Sequence, residues 1–89
     1  TWAGTVAAAR ALAIAGPWAT EAEARRNINT CVKAVAGLLG NTAAVCRAAY
    51  IHPAVPSAYA AGALTLKEGA SDRAFELAVL RFLESYRES

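Results

Sequence analysis

Alanine fills 24 of the 89 positions, and only three prolines interrupt the chain. Alanine has the highest intrinsic helix propensity of any residue, while proline is the main thing that would stop a helix. An all-α fold of several short helices is therefore expected, and Gly, Pro and capping residues mark where each helix begins and ends.

Thr1 to Ala15 is apolar nearly all the way round, with Arg10 as its only charge, which predicts a helix buried on most sides. Gly16-Pro17 stops it. Thr20 opens a second helix, with Glu23 three residues on in capping-box register, and Gly40 closes it. Its core stripe is Ala24, Ile28, Cys31, Val32, Val35 and Leu39, and Glu21 and Arg25 are spaced to pair one turn apart on the wet side. Thr42 caps a short helix from Ala43 through about Tyr50. His52-Pro53 restarts the chain, because a residue before proline is pushed out of the α region. A short helix follows to about Ala61, with Gly62 as its stop. Leu64 to Leu66 reads as a brief extended link, and Gly69-Ala70 leads to Ser71, the cap of a final helix from Asp72 to about Glu88. Phe75, Ala78, Val79, Phe82 and Tyr86 line one face of that helix.

With 89 residues and no flexible linker, one domain spanning residues 1–89 is expected. Every long uncharged run is broken by Gly, Pro, Asn or His, so none supplies the roughly 20 continuous apolar residues of a membrane span. A net charge of +2 neither demands nor excludes nucleic acid. Cys31 and Cys46 have no metal-ligand spacing and read as two buried thiols in a reducing cytosol. No signal segment opens the chain and it contains no methionine, so a processed piece or a fragment of something longer is expected.

A search for conventional catalytic sets fails. One His provides no zinc pair and no nameable Ser-His-Asp set, and Gly37 and Gly40 sit at a helix end rather than between a strand and a helix. What remains is a central cluster: Leu39-Gly40-Asn41-Thr42, then Arg47, then Tyr50-Ile51-His52-Pro53.

At this cluster, and at Thr1-Trp2-Ala3-Gly4-Thr5, the chain resembles the type IB DNA topoisomerases of the bacterial and poxvirus-like kind. The resemblance covers nearly the whole chain, and its most specific part is the Tyr-Ile-His-Pro block nine residues after Asn41. It implies the C-terminal part of an all-α catalytic domain in which Tyr50 attacks a DNA phosphodiester. Asn41 takes the place of the polar residue, often His, that contacts the scissile phosphate. It further implies double-stranded DNA and the upstream part of the same domain as partners, no metal or other cofactor, a monomeric intact enzyme, and a cytoplasmic, nucleoid-associated location. The chemistry suits the residue type. A phenol can displace the 5′ oxygen and leave a 3′-phosphotyrosyl link that stores the bond for religation. With an ordinary pKa near 10, about one phenol in a thousand is ionised at pH 7, so the attack needs positive charge or proton transfer nearby. In the family, two arginines and a lysine supply it, and the resemblance implies that one arginine directly precedes the Thr-Trp pair while the others lie further upstream. All three would stand ahead of Thr1, so the 89-residue piece is expected to be inactive alone.

Each nominated residue also has a purely structural reading. Tyr50 could pack its ring at a helix end, and Asn41 could serve as the turn residue after a glycine stop. Arg47, three positions before Tyr50, is expected on the same helical side and could touch the DNA backbone, as could Arg25, Arg26 and Lys33 on the second helix. His52 is expected to serve the loop beside Pro53, since residues two apart on a helix do not share a face. Trp2 and Trp18 are expected as core anchors. Tyrosine recombinases share a Leu-Gly pair followed about ten residues later by a Tyr, but usually carry His after that pair, where this chain has Asn41. A non-catalytic helical adaptor is the remaining alternative.

Overall fold

Five helices and no strand occur among the described residues, 2–66 and 71–86, of a computed structural model, so the fold is all-α. Helix α1 runs Trp2–Ala15 and closes at Gly16, whose φ of 74° is the left-handed stop a glycine allows. It buries a single stripe, Gly4, Thr5, Ala8, Ala9 and Leu12, rather than most of its surface. Ile14 is 65% exposed and Trp2 41% exposed, so the expectation of all-round burial is corrected. Alanine is small enough for either environment, so a run rich in it does not reveal which face is covered.

Helix α2, Glu21–Leu39, begins where the Thr20 hydroxyl accepts the Glu23 N–H at 3.1 Å. Its buried stripe is Ala24, Ile28, Cys31, Val32, Val35 and Ala36; Leu39, expected in the stripe, is 38% exposed because the chain turns away at the next residue. The expected Glu21–Arg25 pair does not form. The one ion pair among the described residues is Arg10–Asp72 at 3.1 Å, which ties α1 to α5. Asp72 stands almost fully in solvent, so this contact is worth little. The Arg10 guanidinium also lies 4.4 Å over the centre of the buried Phe75 ring, which gives the only charge of α1 a second hold on α5.

Thr42 caps α3 (Ala43–Val45), accepting the Val45 N–H at 3.2 Å. The regular helix expected to reach Tyr50 gives way here to a π-turn, Cys46–Tyr50, in which the Ile51 N–H donates to the Cys46 carbonyl at 3.0 Å. Ile51 is then extended, with φ −118° and ψ 122°, and the chain passes through His52-Pro53 into α4 (Ala54–Ala60), which stops at Gly62. Leu64 to Leu66 lies outside any helix, as expected. Helix α5, Asp72–Ser85, is capped by Ser71, whose hydroxyl accepts the Ala74 N–H at 3.2 Å. Its face runs from buried Phe75 and Val79 to half-buried Ala78, Phe82, Leu83 and Tyr86. Thr1, Gly69-Ala70 and the predicted end near Glu88 lie outside the described residues.

The core gathers Leu12, Val35, Val55, Phe75 and Val79 from α1, α2, α4 and α5. No helix of the described residues is long and apolar enough to cross a membrane. Cys31 and Cys46 are both buried and unbridged. The Cys31 thiol faces the Ala8 carbonyl at 3.4 Å, and burial pushes its pKa up to about 11 from 9.0.

Two outcomes follow from this packing. A folded state that holds Cys31 neutral gains its full contribution below pH 9 and loses it as pH rises toward 11. Denaturation midpoints should therefore fall across that window, part of the fall should vanish in Cys31→Ala, and both thiols should resist a thiol reagent at pH 8 until the chain unfolds. Separately, Gly37→Ala on the open face of α2, with nothing within 4 Å, should stabilise by roughly 0.5–1 kcal/mol in thermal melts. Gly4→Ala should destabilise by about 1–3 kcal/mol, because its methyl would collide with the Tyr50 carbonyl.

Candidate functional site

The π-turn gives Tyr50 its position. As the last residue of that turn, Tyr50 is half-buried and lines an open cleft of about 400 Å³ with Trp2, Thr5, Ala49, His52 and Leu83. No described residue hydrogen-bonds its hydroxyl. The other two tyrosines differ. Tyr59 is 5% exposed; its hydroxyl donates to the Gly16 carbonyl at 2.7 Å and accepts from the Asn27 side-chain amide at 2.8 Å. Tyr86 stacks on Phe82 with ring centres 5.1 Å apart. Tyr59 thus already donates its hydroxyl inside the core, whereas the Tyr50 hydroxyl has no partner among the described residues.

The backbone around Tyr50 is held from α1. The Thr5 hydroxyl accepts the His52 N–H at 3.0 Å and donates, in a long 3.5 Å contact, to the Tyr50 carbonyl. Gly4, one residue earlier, leaves room for that carbonyl against the helix. Thr5 is 4% exposed and is the buried polar residue of the core. In the sequence the two positions stand out only as a threonine beside a glycine in an Ala-rich helix.

His52 takes the loop role expected of it: its Nδ1 accepts the Ala54 N–H at 3.1 Å at the start of α4, which leaves the neutral ring's proton on Nε2. It nevertheless shares the Tyr50 cleft, because Ile51 is extended and the rule for residues two apart on a helix does not apply there. The expectation for Arg47 is corrected. The wider π-turn carries it away from Tyr50, into a groove with Asn29, Lys33 and Ala43, and into a neighbouring one with Ile28, Pro53 and Pro56. Lys33 and Arg47 thus face one groove, while Arg25 and Arg26 are exposed on α2 outside both.

Asn41 is exposed, and its N–H joins that of Gly40 in donating to the Ala36 carbonyl, so its turn role is present. Its side chain does not line the Tyr50 cleft. Residues 42–49, made up of the Thr42 cap, α3 and most of the π-turn, lie between the two. Trp18 is half-buried against the core and donates its indole N–H to the Tyr59 carbonyl at 2.8 Å, which fits an anchor. Trp2 does not fit one. It is 41% exposed on the rim of the Tyr50 cleft and of a groove along α5.

A further cleft of about 450 Å³ is lined by side chains that include Leu12, Trp18, Tyr59, Leu64 and Leu66, and among the described residues it presents no charged group. No group of His, Cys, Asp or Glu able to hold a metal ion occurs among the described residues. The chain matches no known family model, no curated protein and no solved structure.

Proposed function

We propose that the chain carries the nucleophilic tyrosine of a bacterial type IB DNA topoisomerase. One observation supports the reading: of the three sequence blocks on which the resemblance rests, the first, Thr1 to Thr5, and the last, Arg47 to Pro53, meet through the Thr5 hydroxyl, which bonds residues 45 and 47 positions on. The phenol at their junction is half-buried, without a hydrogen bond to the described residues and open to a cleft. A π-turn at that point is also in keeping with function, since such turns often mark sites.

In this reading the Tyr50 oxygen attacks the phosphorus of one DNA strand. The 5′ oxygen leaves with a proton, and the strand is held as a 3′-phosphotyrosyl ester while the other end rotates. Attack by the 5′ hydroxyl then reseals the strand and returns the phenol, so no external energy source is consumed. Charge builds on the phosphate oxygens in the transition state and needs fixed donors. Neither Arg47 nor Lys33 lines the Tyr50 cleft, so in this reading the cations are those that the resemblance implies, two arginines and a lysine outside the described residues. Asn41 serves as a neutral donor to a phosphate oxygen, and Arg47, Lys33, Arg25 and Arg26 contact the DNA backbone in a salt-dependent way.

Relaxation of a supercoiled plasmid without ATP or magnesium by the intact enzyme tests the reading and separates it from a recombinase or a helical adaptor. Tyr50→Phe should keep DNA affinity and abolish the covalent adduct; an adduct that persists in Tyr50→Phe sinks the assignment. Asn41→Ala should slow single-turnover cleavage about a hundredfold or more. Asn41→His, which retains a donor, should keep much of the rate. The 89-residue chain alone should form no adduct.

A further inference from the structure

We propose that Thr5 is a positioning residue for the Tyr50 nucleophile, holding from α1 the backbone that aims the phenol; this rests on the topoisomerase reading above. Tyr50 occupies an awkward place for a residue that must present an atom accurately. It ends a single π-turn, and the next residue is already extended. The last carbonyls of a helix lack partners from their own ladder, and while the Ile51 N–H still donates back to Cys46, the His52 N–H bonds outside the π-turn. Here α1 provides the partner. The Thr5 hydroxyl accepts the His52 N–H at 3.0 Å and makes its longer 3.5 Å contact to the Tyr50 carbonyl. One hydroxyl thus bridges the residue that bears the phenol and the residue two further on.

Three features make this more than routine packing. Thr5 is a polar residue 4% exposed in the buried stripe of an Ala-rich helix, and these two contacts are its only long-range partners among the described residues. Gly4 supplies the space: a methyl there would collide with the Tyr50 carbonyl and push the π-turn off α1. The Tyr50 side chain itself makes no hydrogen bond to the described residues, so its backbone anchorage is what limits where the oxygen can go. Misplacement of a reacting group by about 1 Å can cost about a hundredfold in rate, so loosening this anchorage should appear in the chemical step rather than in DNA binding.

The experiment compares Thr5→Val, which keeps the shape and removes the hydroxyl, with Thr5→Ser, which keeps the hydroxyl, in the intact enzyme with the segment N-terminal to Thr1 present. Single-turnover cleavage of a short duplex should slow about ten- to a hundredfold in Thr5→Val. Duplex affinity should stay within about twofold, the pH profile of cleavage should keep its shape, and Thr5→Ser should recover most of the rate. Amide exchange at His52 should accelerate in Thr5→Val and not in Thr5→Ser. Thr5→Ala replaces Thr5→Val if melting shows that valine is not accommodated. Wild-type cleavage by a folded hydroxyl-free variant, with Tyr50→Phe inert beside it, overturns the positioning role and leaves the reading intact. Absence of any adduct in the wild type, or an adduct in Tyr50→Phe, overturns the reading and the positioning role together.

Discussion

The contact between the first turn of α1 and the end of the π-turn is the constraint on which the rest of the structure depends. The segment from Ala43 to Tyr50 is too short to hold itself, since one α-turn followed by one π-turn repays little of the cost of nucleating a helix. It is ordered because α1 and α2 pack against it: Cys46 and Ile51 are buried, and Thr5 takes the N–H that the chain frees when it becomes extended. Gly4 is required for a steric reason. It lets two backbones come closer than a side chain would permit, which is the use of a glycine that has no unusual torsion angle.

A second consequence concerns which tyrosine is available for chemistry. All three have the same phenol, yet their surroundings assign different roles. Tyr59 is locked between Gly16 and Asn27 and joins α2, α4 and the end of α1. Tyr86 stacks on Phe82 just past α5. The Tyr50 hydroxyl has no hydrogen-bond partner among the described residues and lies at a cleft whose walls come from α1, the π-turn and α5. None of the cations nominated from the sequence lines that cleft: Arg47 and Lys33 line other grooves, and Arg25 and Arg26 are exposed on α2.

Much of the fold was legible because the signals are local. Thr20, Thr42 and Ser71 cap the helices that follow them, and Gly16, Gly40 and Gly62 take the left-handed conformation at the three stops. A hydroxyl's preference for a free N–H within three residues, or a glycine's tolerance of positive φ, does not depend on the rest of the chain. Burial was less legible. Trp2 and Leu39, expected in the core, are substantially exposed, whereas the polar Thr5 is buried.

The sequence by itself determined the all-α class, the capped starts at Thr20, Thr42 and Ser71, the glycine stops and the break before Pro53, because each follows from propensities and caps within a few residues. Only the tertiary structure decided the π-turn at Cys46–Tyr50, the separation of Arg47 from Tyr50 and the bridging role of Thr5. Those depend on where α1 meets a segment some 45 residues away. A fixed helical period places residues three apart on one side only while the turn stays regular, and packing against α1 is what accompanies the change of turn here.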